Sequence, residues 1–334
     1  MPFWCAGRQL GQTLCAKIER FVFTFTSPPR QSVIDSILAV QGELAALTAA
    51  FLWAASAVIF GRLGKFLSPL VLNIAKGLVA LLFISLTLSL QQRQTTGLGQ
   101  WEIALLLASG VIGIGLGDTA YFASLNHLGP RRALLMETLA PPLSAVLALI
   151  LLQEQLSLQA WAGILLTLVG VCWVVSERVP VAHQPVGGEL RRGIFYGGMA
   201  ALGQASGAVM SRAALADTAV DPLWSTLLRL GGGLVIMVGM LASQGSLMPR
   251  LQPLRSGRLL GLVAIAAFFG TYLGIWLQQT ALKFAPTGIA QALISTSPLF
   301  ILPIAALLGE RISPRAVLGV CVTLGGIWLL VSYR

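Results

Sequence analysis

Four ionisable side chains stand deep inside long apolar runs of this chain: Lys76, Asp118, Glu137 and Arg229. A charge in such a run costs several kcal/mol unless it meets a partner or faces a water-filled path, so each is a candidate for function. Asp118 and Glu137 are able to bind and release a proton or to hold a cationic group. Lys76 and Arg229 are able to hold a carboxylate or to balance those acids. The plainer alternative is architectural pairing, for example of Asp118 with Lys76, in which the charges only neutralise one another.

Polar and aromatic residues accompany the charges at helical spacing. Asp118 and Tyr121 share a face, with Gly113 and Gly117 making room for a close neighbour. Tyr272, Trp276 and Gln279 form a second stripe, Gln291, Ser295 and Pro298 a third, and Glu137, Pro141 and Ser144 a fourth. With Trp53, Ser56, Gln204 and Ser206 they are expected to line a central cavity near the membrane midplane. Packing and hydrogen bonding between helices would use the same residues without any ligand.

Other chemistries lack their groups. Intramembrane catalysis needs converging groups such as a His pair, a Ser-Lys dyad or a diacid motif. The two histidines, His127 and His183, fall in connecting loops, and the four cysteines show no CxxC spacing. We therefore expect no metal, no cofactor and no enzyme. Direct ATP drive would require a phosphate-binding GxxxxGK[ST] loop, and the chain has none.

The elements that position these residues are membrane spans. At 56% hydrophobic and 10% charged, the chain has too little polar surface to clothe a water-soluble globule of its length. The formal charge of +10 comes from Lys and Arg scattered between apolar runs, with no basic stripe and no interleaved aromatics, so nucleic acid is not an expected partner. Ten runs are long enough to cross a bilayer. They lie at about 43–62, 68–90, 101–125, 131–152 and 158–176, then 193–213, 222–243, 257–282, 287–308 and 314–332.

The runs are a duplication. Residues 130–178 align without a gap on 286–334, with 15 of 49 positions identical, among them Pro142/Pro298, Glu154/Glu310, Gly163/Gly319 and Gly170/Gly326. Further upstream, 54–62 aligns on 204–212, and Lys76 on Arg229. Each half holds five spans, and an odd number forces the second half to enter the membrane upside down. The expected fold is all-α and integral to the membrane, ten transmembrane helices arranged as two inverted five-helix repeats. Asp118 and Glu137 have no acidic twins, because Gly274 and Leu293 stand at the matching positions.

Residues 1–42 carry no span and are expected to form a disordered or surface-lying N-terminal tail, not a signal peptide. Residues 43–176 form the first repeat and 193–334 the second. The intervening 177–192, rich in Pro, Gly and charge, is a linker. With both termini on one face, eight Lys and Arg lie on that face and twelve on the other. The positive-inside rule then favours termini outside.

Two stretches, PRRALLMETLAPPLSAVLALILLQEQLSLQAWAGILLTLVGV and PTGIAQALISTSPLFILPIAALLGERISPRAVLGVCVTLGGI, carry a mid-helix proline, a Glu at the helix end and a following Gly-spaced helix. In this the chain resembles the drug/metabolite transporter superfamily, specifically its EamA-type permeases, over about 43–334. Pro142, Glu154, Pro298 and Glu310 match the family pattern, while Lys76 stands where members often carry Arg. A Glu at such a helix end is most simply a membrane-edge residue that hydrogen-bonds the start of the next helix. The resemblance implies a multi-pass protein of the plasma membrane that moves small metabolites by alternating access, its termini cytoplasmic, against the charge count. Amino acids, amines or drugs fit a cavity of this composition, with protons a candidate coupling ion through Asp118 or Glu137. The competing reading is a non-transporting scaffold or a channel-like protein. A channel would show a duplicated filter or charged ring, which the sequence lacks.

Overall fold

The computed structural model describes residues 40–64, 66–91, 97–128, 130–176, 188–243, 252–300, 303 and 314–332. The proposed tail up to residue 39, most of the proposed linker and Glu310 lie outside the described residues. Among those described there is no strand. The helices are α1 (Gln41–Leu63), α2 (Pro69–Gln91), α3 (Gln100–Leu128), α4 (Pro130–Glu137), α5 (Ala140–Leu151) and α6 (Leu158–Ser176) in the first half. The second half holds α7 (Gly188–Leu215), α8 (Pro222–Ser243), α9 (Gly257–Phe284), α10 (Thr287–Ile294) and α11 (Pro314–Val331). Six of these, α1, α2, α3, α8, α9 and α11, are long and apolar enough to cross a membrane, and α5 and most of α6 are shorter apolar helices. Large apolar side chains point outward from them, Leu158 at 87% exposure and Val235 at 74%, as lipid-facing positions must.

Proline separates α4 from α5. Pro141 and Pro142 have no N–H, so the carbonyls of Glu137 and Thr138 lose their normal helical donors. The chain turns at Thr138 and Leu139 and restarts as α5 with its prolines in the first turn. The second half repeats the device: α10 ends at Ile294, a turn follows at Ser295 and Thr296, and Pro298 is the second of the next helical residues.

Gly42–Arg334 forms one compact unit in which the halves interleave. α7 packs along all of α3, α8 against α2 and the middle of α3, and α10 against α5. α6 also packs closely on α11, and its contacts are reciprocal. A Cβ on Gly163 would lie 3.2 Å from the Gly326 carbonyl oxygen, and one on Gly319 would lie 3.2 Å from the Gly170 carbonyl oxygen. Both pairs are repeat twins, each helix meeting the other antiparallel through the same residues. This is the self-complementary contact that a two-fold axis between inverted repeats demands.

Close backbone approach makes these glycines a stability determinant. A side chain at Gly326 would meet the Thr167 amide nitrogen at 2.5 Å, whereas Gly239 has nothing within 4 Å. Gly326→Val should therefore lower the melting temperature in detergent by several degrees, the equivalent of about 1–3 kcal/mol of overpacking. Gly239→Ala should leave it unchanged or slightly raised. Equal melting of the two variants would show that the α6–α11 contact contributes little.

Candidate functional site

The charged site is built around an irregularity in α3. Residues Gly110–Gly117 wind as a π-helix between α-helical ends, and Asp118 is the first residue after it. A π segment holds one residue more than the α-helical turn it replaces, so it changes the direction in which the following side chains point. Asp118 meets Lys76 of α2, with Nζ to Oδ2 at 3.9 Å. Their side chains are 23% and 22% exposed, so the pair is within reach of water. Lys76 also lies over the Phe60 ring, 5.6 Å from its centroid. Tyr121, one turn beyond Asp118, and Glu137, the last residue of α4, lie within electrostatic range of Asp118 and of each other. The structure thus brings Lys76, Asp118, Tyr121 and Glu137 together.

Arg229, the repeat twin of Lys76, is treated differently. Its side chain is 1% exposed and is held by neutral groups: Nη1 donates to Ser211 Oγ at 3.1 Å and to Gln279 Oε1 at 3.1 Å. The Gln279 amide donates in turn to Ser225 Oγ, and Ser211 Oγ is 2.8 Å from Ser109 Oγ. Ser109 also donates to the Gly207 carbonyl at 2.7 Å. Two glycines of the π segment admit Arg229, one its guanidinium and the other its backbone. A Cβ on Gly113 would lie 3.0 Å from Nη2, and one on Gly110 would collide with the Arg229 carbonyl. Asp118 acts on Arg229 electrostatically from further along α3.

The second half repeats the π-helix at Phe268–Leu273, positions that match 112–117 of the first. Trp53 Nε1 donates to the Gly270 carbonyl there at 2.7 Å, and buried Ser56 packs on the same glycine. A side chain at Gly274 would run into the Trp53 indole. Gly203, the twin of Trp53, instead lies backbone to backbone on Gly117, beside Asp118. The two halves fill the same contact differently: the Trp53 indole lies against Gly274 in one, and glycine backbone meets glycine backbone at Gly203 and Gly117 in the other. Tyr272 points toward α2, its hydroxyl 2.8 Å from Thr87 Oγ1, and stacks on Trp276 with centroids 6.3 Å apart.

The remaining expected residues are distributed around these clusters. Gln204 is half-buried on α7 with its backbone against Gly117. Gln291 is 6% exposed, and its side-chain nitrogen has no hydrogen-bond partner among the described residues. Ser295 Oγ turns back to the Ala292 carbonyl at 2.7 Å. Pro142 and Pro298 mark the two helix breaks. Glu154 does not cap the next helix, as the sequence suggested; Ser157 does so, accepting from the Ala160 amide at 3.1 Å. Glu154 is instead bound to Arg212 and to the Thr287 amide. His127 stands in the last turn of α3, not in a loop, stacked on Tyr196 at 5.8 Å. An apolar groove of about 350 Å³ lies between the ninth and tenth spans, lined by Thr296, Phe300, Pro303, Val317, Thr323 and Ile327 among others, and contains none of the expected site residues. The serines of the Arg229 cage were not singled out beforehand. Their one legible signal is polarity inside apolar runs, since they come from three different helices.

Comparison with known proteins follows the same outline. The sequence model of the EamA-like transporter family matches residues 40–176 and again 191–332. Among 29 matching chains of known structure, one crystal structure is 18% identical over 86% of this chain and 94% of its own, with a TM-score of 0.72. At that identity the likeness is one of fold. No curated protein matches the chain significantly.

The cage makes a specific energetic claim. Gln279→Leu strands a buried charge and should cost about 2–5 kcal/mol, whereas adding Arg229→Met removes the charge that needs solvation. The double variant should melt above Gln279→Leu alone. Additive losses in the double-mutant cycle would refute the cage.

Proposed function

The chain belongs to the EamA-like transporter family, and from that premise we propose that it is a secondary transporter exporting small organic metabolites, such as amino acids, amines or drugs, across the plasma membrane by alternating access. The family is one of transporters and not of enzymes. The observation that carries the proposal is the Lys76–Asp118 pair, held among helices that read as membrane spans yet partly open to water, with Glu137 in electrostatic range. A purely structural pair would be better buried, and it would have a twin in the other half, where Gly274 faces Trp53.

In this reading ten spans form two inverted halves, 43–176 and 193–334, that rock about the two-fold axis marked by α6 and α11. Asp118 or Glu137 carries the coupling proton. When Asp118 is ionised, Lys76 neutralises it. Protonation releases Lys76, so the pair responds both to the proton gradient and to a charged group on the solute. Trp53, Ser56, Gln204, Tyr272, Trp276, Gln291 and Ser295 supply the wall against which the solute packs, with aromatic faces for its apolar part. Arg229, caged by neutral groups, anchors the second half. The partners are therefore a small molecule, the lipid bilayer and protons.

Solute uptake and efflux in vesicles, with a mixed panel of amino acids and cationic dyes under an imposed pH gradient, tests the proposal. The parent should respond to the gradient, and Asp118→Asn or Glu137→Gln should lower gradient-driven flux about tenfold or more while leaving exchange at equal pH. Flux equal to the parent in both variants would remove proton coupling from these acids.

A further inference from the structure

One end of the bundle is tied by a network that the transport site does not use. Glu154, just past α5, lies with Oε1 2.5 Å from Arg212 Nε near the end of α7. Its other oxygen accepts from the Thr287 amide at the start of α10, at 2.9 Å. Arg212 Nη1 donates to the carbonyls of Leu282 and Lys283 at the end of α9, at 2.9 and 2.7 Å, and Lys283 Nζ donates to the Val220 carbonyl at 2.6 Å. Next to this network, α1 is pressed onto the end of α9, where a Cβ on Gly42 would meet that of Ala285 at 2.8 Å.

We propose that the Glu154–Arg212 pair is a latch that closes this end of the transporter and must break in every cycle to open it; the proposal rests on the transport reading above. Three observations separate a latch from a permanent rivet. Both bonds of Glu154 run from the first half to the second, across the line along which inverted halves rock. Both side chains are 15% exposed, so water is at hand to take up the charges when they part. The ends also differ: Arg62, the twin of Arg212 on α1, is exposed at the opposite end. Inverted repeats reach their second access state by exchanging conformations, so the twin ends take turns at being tied.

The test uses the full chain with Cys5, Cys15, Cys172 and Cys321 replaced by Ala and a single reporter, Ala281→Cys, at a fully buried position beside Leu282. In vesicles of known sidedness, a membrane-impermeant maleimide should label the reporter slowly in the parent. Glu154→Gln should raise that rate about tenfold from the latch end only. Should Glu154→Gln not fold, Arg212→Lys keeps the charge but loses the fork onto the two carbonyls and is expected to act in the same direction. In a second arm, Glu154→Cys with Arg212→Cys is bridged by a short bis-methanethiosulfonate, which should stop transport until reductant is added. Parental labelling in a folded, monodisperse variant, or undiminished transport in the bridged protein, overturns the latch. If the parent moves no solute of the panel, the transport reading fails, and the labelling arm still decides whether this end opens through Glu154.

Discussion

A guanidinium inside an apolar slab must be solvated by the protein itself, and the middle of this molecule is arranged around that need. Arg229 takes its partners from α7 and α9, and those partners are bound in turn by α3 and α8. To let the cage close, α3 must come within backbone contact of α7 and α8, which only glycine allows at 110, 113, 203 and 207. The π segment is the backbone form in which α3 makes that approach. Satisfying one charge thus sets the spacing of four helices, and the position of Asp118 follows from it.

The two halves show how a duplicated framework acquires a single site. Their twin π segments, broken fourth and ninth spans and reciprocal α6–α11 contact are architecture kept in both copies. At the contact between α1 and α9 the space after the π segment is filled by the indole of Trp53. Between α7 and α3 backbone meets backbone instead, Gly203 on Gly117, the residue before Asp118. The framework tolerates either solution because glycine stands at 203, where the twin position holds Trp53. Chemistry that needs one acid can therefore sit on a symmetric scaffold without disturbing it.

Much of this was legible in the sequence, for reasons particular to membrane proteins. Spans are long apolar runs, and the duplication shows as identities at a fixed offset, so the all-helical membrane class and its two repeats need little beyond counting. The pairing of Lys76 with Asp118 was open to reading because few charges lie within the runs. The cage was not, since Gln279 stood out only as part of a stripe with Tyr272 and Trp276, and Ser109, Ser211 and Ser225 are distant in the chain and each alone is unremarkable in a helix. The π segments were hidden as well. Local periodicity is read on an assumed 3.6-residue turn, and a stretch such as GVIGIGLG has no side-chain pattern that betrays a different one. Glu154 was misassigned for a related reason: its nearest helix start in sequence is α6, while its nearest in space is α10.

The π segments also bear on how such a chain can change over generations. Removing a residue from a regular transmembrane helix turns everything beyond it by about 100° and carries its lipid-facing side chains into the core. A π segment already contains the surplus residue, so losing one there would restore ordinary winding and leave the register on either side of the segment unchanged. Within α3 and α9, Gly110–Gly117 and Phe268–Leu273 are thus the places where a span of fixed length can gain or lose a residue. Because Asp118 comes immediately after the first, such an event would change the turn that leads into the acid while leaving the helix that carries it in register.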